Sequence, residues 1–194
     1  MIHVMKILYQ SKMIRSFDFL LSFLAICIFA PLLVCIFILV LVDSRAPLFM
    51  QTRLGKNQKP FLLVKFRTVR VGALSVATHL LDPSEITKTG YFLRRSKLDE
   101  LPQLWNVLKG DMSIVGPRPC LPTQSALISE RENRGIFSVR PGLTGLAQIQ
   151  GIDMSAPEFL VEVEEDMIRT LSPRSYFTYI IRTVFYVLNI KKLT

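Results

Sequence analysis

The sequence is poor in cysteine, histidine and acidic residues, and each shortage removes a class of explanation. Its three cysteines, Cys27, Cys35 and Cys120, lack the spacing of a disulfide framework or a zinc site. They read as reduced thiols in a protein facing the cytoplasm. Of the two histidines, His79 stands alone in a loop-like stretch and reads as a surface residue. Fifteen acids face 24 lysines and arginines, giving a net charge of +9. That surplus, with a composition half hydrophobic, suits an anionic membrane surface. Nucleic acid is the obvious competitor for such charge, but no helix-turn-helix, zinc finger, RNA-recognition motif or basic zipper is present. No nucleic-acid partner is expected. A P-loop, an HExxH pair and a GxSxG elbow are absent too. The length of 194 residues allows one modest domain, or a domain with an anchor.

One long hydrophobic run is present. Phe19 to Val42 carries no formal charge over 24 residues, about 36 Å as a straight helix. A bilayer core of about 30 Å makes a transmembrane helix the default reading. A cleaved signal peptide fits poorly, because the run is too long and no small-residue site follows at Asp43-Ser44-Arg45. Two features oppose a simple crossing. Pro31, mid-run, removes a backbone hydrogen bond and bends a helix. Both flanks are basic: Lys6, Lys12 and Arg15 precede the run, and seven cations against one acid lie between Asp43 and Arg70. Basic flanks favour the cytoplasm, and a single crossing must export one of them. A helix broken at Ala30-Pro31, entering and leaving by one leaflet, satisfies both, though carbonyls near Ile26 to Cys27 then need partners.

The densest pattern is Arg94 to Pro119, RRSKLDELPQLWNVLKGDMSIVGPRP. Ser96 with Asp99 three residues on has the spacing of a capping box. Pro102 fits a first helical turn, so a helix is expected from just before it to about Leu108, closed by Gly110. The adjacent carboxylates Asp99 and Glu100 would then sit at a helix start with Arg94, Arg95 and Lys97 beside them. Upstream, Pro47 to Thr52 and Phe61 to Val69 read as strands around a Gly55–Pro60 turn. Lys65 and Arg67 alternate with Val64, Phe66 and Thr68 and share one face. They serve either as prongs for a diphosphate or as lysine-type protection of an edge strand. The prolines of Val115-Gly116-Pro117-Arg118-Pro119 stiffen the loop that carries Arg118. Arg140-Pro141-Gly142-Leu143-Thr144-Gly145 is similar, with glycines that let backbone approach a ligand. Gly72 to Gly90, poorly periodic, is expected to be a loop or short helix, a candidate cover for the site. Ser155 with Glu158 is a second capping box, opening a helix with Phe159, Leu160, Val163 and Met167 on its apolar face. Glu158, Glu162, Glu165 and Asp166 take the other face. Ser172 to Thr194 is too interrupted to cross a membrane, and reads as an interfacial helix or one packed on the core.

These blocks together, in this order, resemble the bacterial sugar transferases, more fully the monotopic polyprenyl-phosphate phosphoglycosyltransferases, over roughly residues 11 to 190. The likeness rests on the apolar segment before Val42, VKFRTV, the LDEL dyad, KGDMSIVGPRP and RPGLTGLAQIQG. It implies an α+β fold, mainly helical with a small β-hairpin, a membrane-inserted re-entrant helix over residues 1–43 and a catalytic domain over 44–194 with interfacial amphipathic helices. It implies Asp99 as a nucleophile, Glu100 as catalytic partner and Mg²⁺ ligand, and Lys65, Arg67, Arg94, Arg118 and Arg140 on the donor's phosphates. Asp166 matches a family aspartate near the site, and Ala30 with Pro31 marks the membrane hinge. The implied partners are a UDP-sugar, a polyprenyl phosphate and the inner-leaflet lipid of a bacterial cytoplasmic membrane.

The chain departs from the family pattern at Ala30, where a serine is common, at Leu146, where a tryptophan is common, and at Ile152, where an arginine is common. The last two bear on the sugar, and the GIDMS stretch inclines the reading toward an N-acetylated or deoxy amino sugar. Two other functions remain compatible with the residues. One is a metal-dependent phosphodiesterase or lipid phosphatase on the same carboxylates. The other is a non-enzymatic basic adaptor on the membrane surface.

Overall fold

The structure is a computed structural model that describes the backbone of residues 2–73 and 82–189, and the side chains of 12–73 and 82–187. His79 and residues 74–81 of the expected cover lie outside the described residues. The first helix, α1 (Ile2–Ser44), carries the apolar run and continues through Pro31 without a break in its helical assignment. The expected interruption at Ala30-Pro31 is therefore absent from the helical assignment, although Pro31 still leaves the Cys27 carbonyl without its usual intrahelical donor.

Both halves of α1 rest on the same globular body. Before the proline, Arg15 donates to the Val107 and Leu108 carbonyls at 2.6 and 2.8 Å. Asp18 Oδ1 accepts from the Ser113 hydroxyl, the Ile114 amide and the Tyr176 hydroxyl, each at 2.9 Å. After the proline, Ile36 and Val40 join Phe66 and Leu93 in one buried cluster. Between and around these contacts the helix exposes Phe19, Phe23, Ile28, Val34 and Ile38. In water such a face is costly, at about 25 cal/mol per Å² of apolar surface left wet.

The chain then forms an antiparallel hairpin, β1 (Leu48–Leu54) with β2 (Pro60–Phe66), in the register Phe49 opposite Lys65. Its turn uses left-handed Asn57 and Gln58. The helix α2 (Lys88–Ser96) starts at Thr87, whose hydroxyl oxygen accepts from the Gly90 amide at 2.9 Å. Gly90 lies so close to β2's extension that a Cβ there would meet the Thr68 carbonyl oxygen at 2.1 Å. Only glycine lets α2 dock at that depth.

Next comes α3 (Gln103–Lys109), ended by Gly110 at φ 98°, as its sequence predicts. A second two-stranded sheet, not foreseen in the sequence, pairs β3 (Ser113–Val115) in parallel with β4 (Gly142–Thr144). It joins the two proline-containing loops. At Gly142 a Cβ would sit 2.1 Å from the Gly116 amide nitrogen, so the loops touch backbone to backbone. The remaining helices are α4 (Ser125–Asn133), α5 (Leu146–Ile149), α6 (Pro157–Thr170) and α7 (Pro173–Asn189).

Two expectations for this half need correction. Ser155 does not cap α6: its amide and hydroxyl donate to Asp153. The buried face of α6 is Leu160, Val161, Glu164 and Met167, while Phe159 is exposed. The acidic helix thus buries one of its acids. Helix α7 packs Tyr176 and Tyr179 on the core and exposes Phe177, Ile181, Val184 and Phe185, so it offers both of the faces considered for it. Mainly helical content with a small hairpin agrees with the fold class read from sequence.

Candidate active site

The dyad sits in a short 3₁₀ turn, Leu98–Glu100, between α2 and α3. Ser96 does not cap it. Ser96 ends α2, its hydroxyl donating back to the Phe92 carbonyl at 2.8 Å, and Lys97 turns the chain in the left-handed conformation at φ 57°. A lysine at positive φ is uncommon and marks a position fixed by its surroundings. Asp99 is 5% exposed, and its Oδ1 is buried without a hydrogen-bond partner. An orphaned carboxylate oxygen is expensive inside a protein. Burial, then the adjacent Glu100 carboxylate, push the Asp99 carboxyl up to about 6, against the pull of Lys65, Lys97 and Arg94. Burial works against the charge of Glu100 as well, but Arg118 outweighs it and holds that carboxyl below its usual range. The Arg118 guanidinium donates to Glu100 Oε1 at 2.7 Å.

The residues singled out by sequence divide into three groups. Lys65, Arg94 and Arg118 converge on the dyad. Lys65 is pulled down to about 8 by burial, with Asp99 acting in the opposite direction, and its ammonium also stands 5.2 Å from the Phe49 ring centre. Arg94 donates through Nε to the Thr68 hydroxyl at 2.8 Å, which steers the rest of its guanidinium, and burial lowers its basicity while Asp99 resists. Arg67 and Arg140 are engaged elsewhere. Arg67 donates to the Ala46 carbonyl at 2.9 Å and the Leu48 carbonyl at 3.4 Å, bracing the joint between α1 and β1. Arg140 donates to the Gly110 carbonyl at 2.8 Å, so with Arg15 it covers the carbonyl end of α3. Asp166 is exposed and pairs with Arg169 at 2.7 Å. It lines a separate pocket of about 380 Å³ with Arg134, Leu146, Phe159 and Glu165.

Sequence reasoning missed three residues. Arg53 is buried beside Arg118 and Glu100. Arg131 and Glu164 form a buried pair, 2% and 1% exposed, with both oxygens of Glu164 accepting from Arg131 at 2.6 and 2.9 Å. Neither Arg131 nor Glu164 belongs to a local motif. An arginine in an exposed-looking helix, 33 residues from its partner, carries no signal before the fold brings them together.

Among the described residues, no three histidine, cysteine, aspartate or glutamate side chains gather as a metal cage. Asp99 and Glu100 nevertheless fit Mg²⁺, which takes one or two carboxylates and completes its shell with water and substrate phosphate. The unpartnered Asp99 oxygen is the kind of donor such an ion would engage. Chemically the cluster is a buried carboxylate of raised pKa, a second carboxylate held ionised, and a surplus of cations around both.

Comparison with known proteins identifies the family. The family model for bacterial sugar transferases matches residues 9–190. A sugar transferase of Bacillus subtilis is 41% identical over 138 residues, 71% of this chain and 68% of its own length. The UDP-glucose:undecaprenyl-phosphate glucose-1-phosphate transferase of Caulobacter vibrioides is 41% identical over 143 residues, 71% of this chain and 54% of its own. The UDP-N-acetylgalactosamine-undecaprenyl-phosphate N-acetylgalactosaminephosphotransferase of Aeromonas hydrophila is 33% identical over 161 residues, 78% of this chain and 37% of its own. The chain spans from about a third to about two thirds of the length of such curated relatives. With the match running from residue 9 to residue 190 through every block around the dyad, the chain belongs to the bacterial sugar transferase family.

Proposed function

We propose that this chain is a phosphoglycosyltransferase that moves a sugar 1-phosphate from a UDP-sugar to a polyprenyl phosphate such as undecaprenyl phosphate. The observation that carries the reading is Asp99: a buried carboxylate with an unpartnered oxygen, set among Lys65, Lys97, Arg94 and Arg118. An excess of fixed cations is idle until anionic phosphates arrive, and the donor supplies them. Relatives named for UDP-glucose, for UDP-N-acetylgalactosamine and for undecaprenyl phosphate support the substrate classes.

In the proposed reaction an ionised oxygen of Asp99 attacks the β-phosphorus of the donor. The bond from that phosphorus to the bridging oxygen breaks, and UMP leaves with the electron pair. The acyl phosphate so formed carries the sugar on Asp99. A phosphate oxygen of the polyprenyl phosphate then attacks the same phosphorus, breaks its bond to the Asp99 oxygen and releases the diphosphate-linked lipid. Two displacements let one site receive a soluble donor and then a lipid acceptor. Lys65, Arg94 and Arg118 position the donor's phosphates. Glu100, with the substrate phosphate, would hold Mg²⁺, which supplies charge neutralisation there.

The site belongs on the cytoplasmic face of the bacterial inner membrane, with α1 bent at Pro31 inside its continuous helix so that it enters and leaves by one leaflet. Support comes from α1 itself, whose segments on both sides of Pro31 pack on one domain, while 11% of its apolar span is buried. The exposed stripe of α7 then lies in the interface. The product begins a surface glycan such as an O-antigen, capsule, exopolysaccharide or glycoprotein glycan. The sugar we favour is an N-acetylated or deoxy amino sugar.

The test is UMP release by purified protein from a panel of UDP-sugars, with undecaprenyl phosphate and Mg²⁺. Acceptor-dependent UMP release beyond the one equivalent that adduct formation frees, with one donor preferred, is the expected result. Hydrolysis independent of the lipid, or no turnover with any donor, would overturn the reading.

A further inference from the structure

The loop that presents Arg118 is held far more firmly than its two prolines require. Five successive carbonyls, from Gly116 to Cys120, each accept a hydrogen bond from a residue distant in sequence. Gly116 receives the Gln148 side-chain amide at 3.3 Å, and Pro117 the Gly142 amide at 2.7 Å. Arg118 receives the Arg131 guanidinium at 2.9 Å. Pro119 receives the Arg53 guanidinium at 3.0 Å, and Cys120 the Leu54 amide at 3.0 Å. Loops seldom have every acceptor fixed, because surface water satisfies them at less entropic cost.

Two of the five donors are buried guanidinium groups, costly to bury for packing alone. Arg131 is neutralised by Glu164 with a two-point contact and still directs one N–H at the Arg118 carbonyl. Arg53 leans on the neutral Gln51 side chain at 2.5 Å and keeps its Nε buried without a partner. The two grip consecutive carbonyls, of Arg118 and Pro119. The side chain left to act from this mount is that of Arg118, and it meets Glu100.

We propose that Arg131, with Glu164, and Arg53 are positioning residues for the transfer reaction. They fix the backbone under Arg118, so that its guanidinium meets Glu100 and the donor's phosphate in one geometry. This rests on the proposed transferase activity, with Arg118 touching substrate and the three buried residues acting through it. A misplacement of about 1 Å in such a group can cost about 100-fold in rate. A loosened mount that still samples the right geometry loses less.

The experiment exploits the interior of the pair. Replacing a buried ion pair by apolar residues of similar volume is often neutral or stabilising. The double variant Arg131→Met/Glu164→Leu should therefore remain folded, with an unfolding temperature near that of the parent, while it loses the donor to the Arg118 carbonyl. UMP release is followed with saturating undecaprenyl phosphate. We expect kcat to fall about tenfold, with the KM for the UDP-sugar changed less than about twofold, since the lost geometry matters most in the transition state. Arg53→Met should behave alike, and Arg53→Lys, which keeps a donor for the Pro119 carbonyl, should recover most of the loss. Arg134→Met, which breaks an exposed pair with Glu165, serves as the charge control and should retain parental kcat.

A folded double variant with parental kcat would overturn the proposal, and so would a loss of kcat that merely tracks the loss of folded protein. If the double variant does not fold, the Arg53→Met and Arg53→Lys comparison decides alone: equal kcat in both refutes the mount. Inactivity of the parent protein would instead count against the transferase reading, so the two failures are distinguishable.

Discussion

Replacing Asp99 by asparagine should make the protein more stable while removing its activity. In the folded chain the Asp99 carboxyl titrates near 6, because burial and Glu100 disfavour its charge. In an unfolded chain it titrates near 3.9. The native state therefore binds the proton more tightly, and stability falls as pH rises from about 4 to about 6. Above that window the ionised carboxylate costs the fold about 3 kcal/mol, at about 1.4 kcal/mol for each unit of displacement. Asparagine has nearly the same shape and no charge, so Asp99→Asn removes that cost at pH 7.5. For a chain of this size, the gain corresponds to a rise of about 6–12 °C in unfolding temperature. The assay is parallel thermal unfolding of both proteins in one detergent, without divalent cations, at a series of pH values from 4 to 8. The variant should melt higher at pH 7.5, and the gap should close toward pH 4, where both side chains are neutral. An unfolding temperature equal to or below that of the parent at pH 7.5 would refute the reasoning, as would a gap independent of pH. A residue that destabilises its own fold is what a reactive group held away from solvent implies.

Three other outcomes follow from the geometry. Lys65, held near 8 by burial, should lose its charge as pH rises through that value, so the KM for the UDP-sugar should climb above pH 8, and the climb should be absent in Lys65→Arg. Arg67→Met should lower stability by about 1–3 kcal/mol, since it removes charged hydrogen bonds to the Ala46 and Leu48 carbonyls, yet leave the donor KM within twofold; a large rise in KM would mean that Arg67 holds phosphate. Single cysteines at Lys12 and Thr52, in a background without Cys27 and Cys35, should be labelled from the same side of a sealed vesicle, and labelling from opposite sides would show that α1 crosses the bilayer.

Much of the architecture was legible where the signal is local. Gly110 ended α3 as its left-handed conformation requires, the hairpin formed around Gly55–Lys59, and the uncharged run became helical, without the break expected at Ala30-Pro31. The errors came where one local pattern serves two structures. A serine three residues before an acid fits a helix start, but Ser96 closes a helix instead, because Lys97 takes the left-handed conformation that ends it. The four acids read onto the outer face of α6 are exposed there, but Glu164, which that reading left out, is drawn inward by Arg131. Asp18 was given no role by the sequence, yet it is a buried knot between α1, β3 and α7. Of the candidate site, Asp99, Glu100, Lys65, Arg94 and Arg118 were found from motif blocks and meet in space. Arg53, Arg131 and Glu164 were invisible because their importance lies in backbone carbonyls far away in the chain, and sequence does not encode those acceptors.

The central claim is that the Asp99 carboxylate itself becomes bonded to phosphorus during turnover. Purified protein is incubated with UDP-sugar labelled in its β-phosphate, without lipid acceptor, then quenched and mapped by mass spectrometry. The account predicts a sugar-phosphate adduct on Asp99 that disappears when undecaprenyl phosphate is added and never forms in Asp99→Asn. Normal turnover with no adduct on Asp99, or an adduct on another side chain, would contradict it.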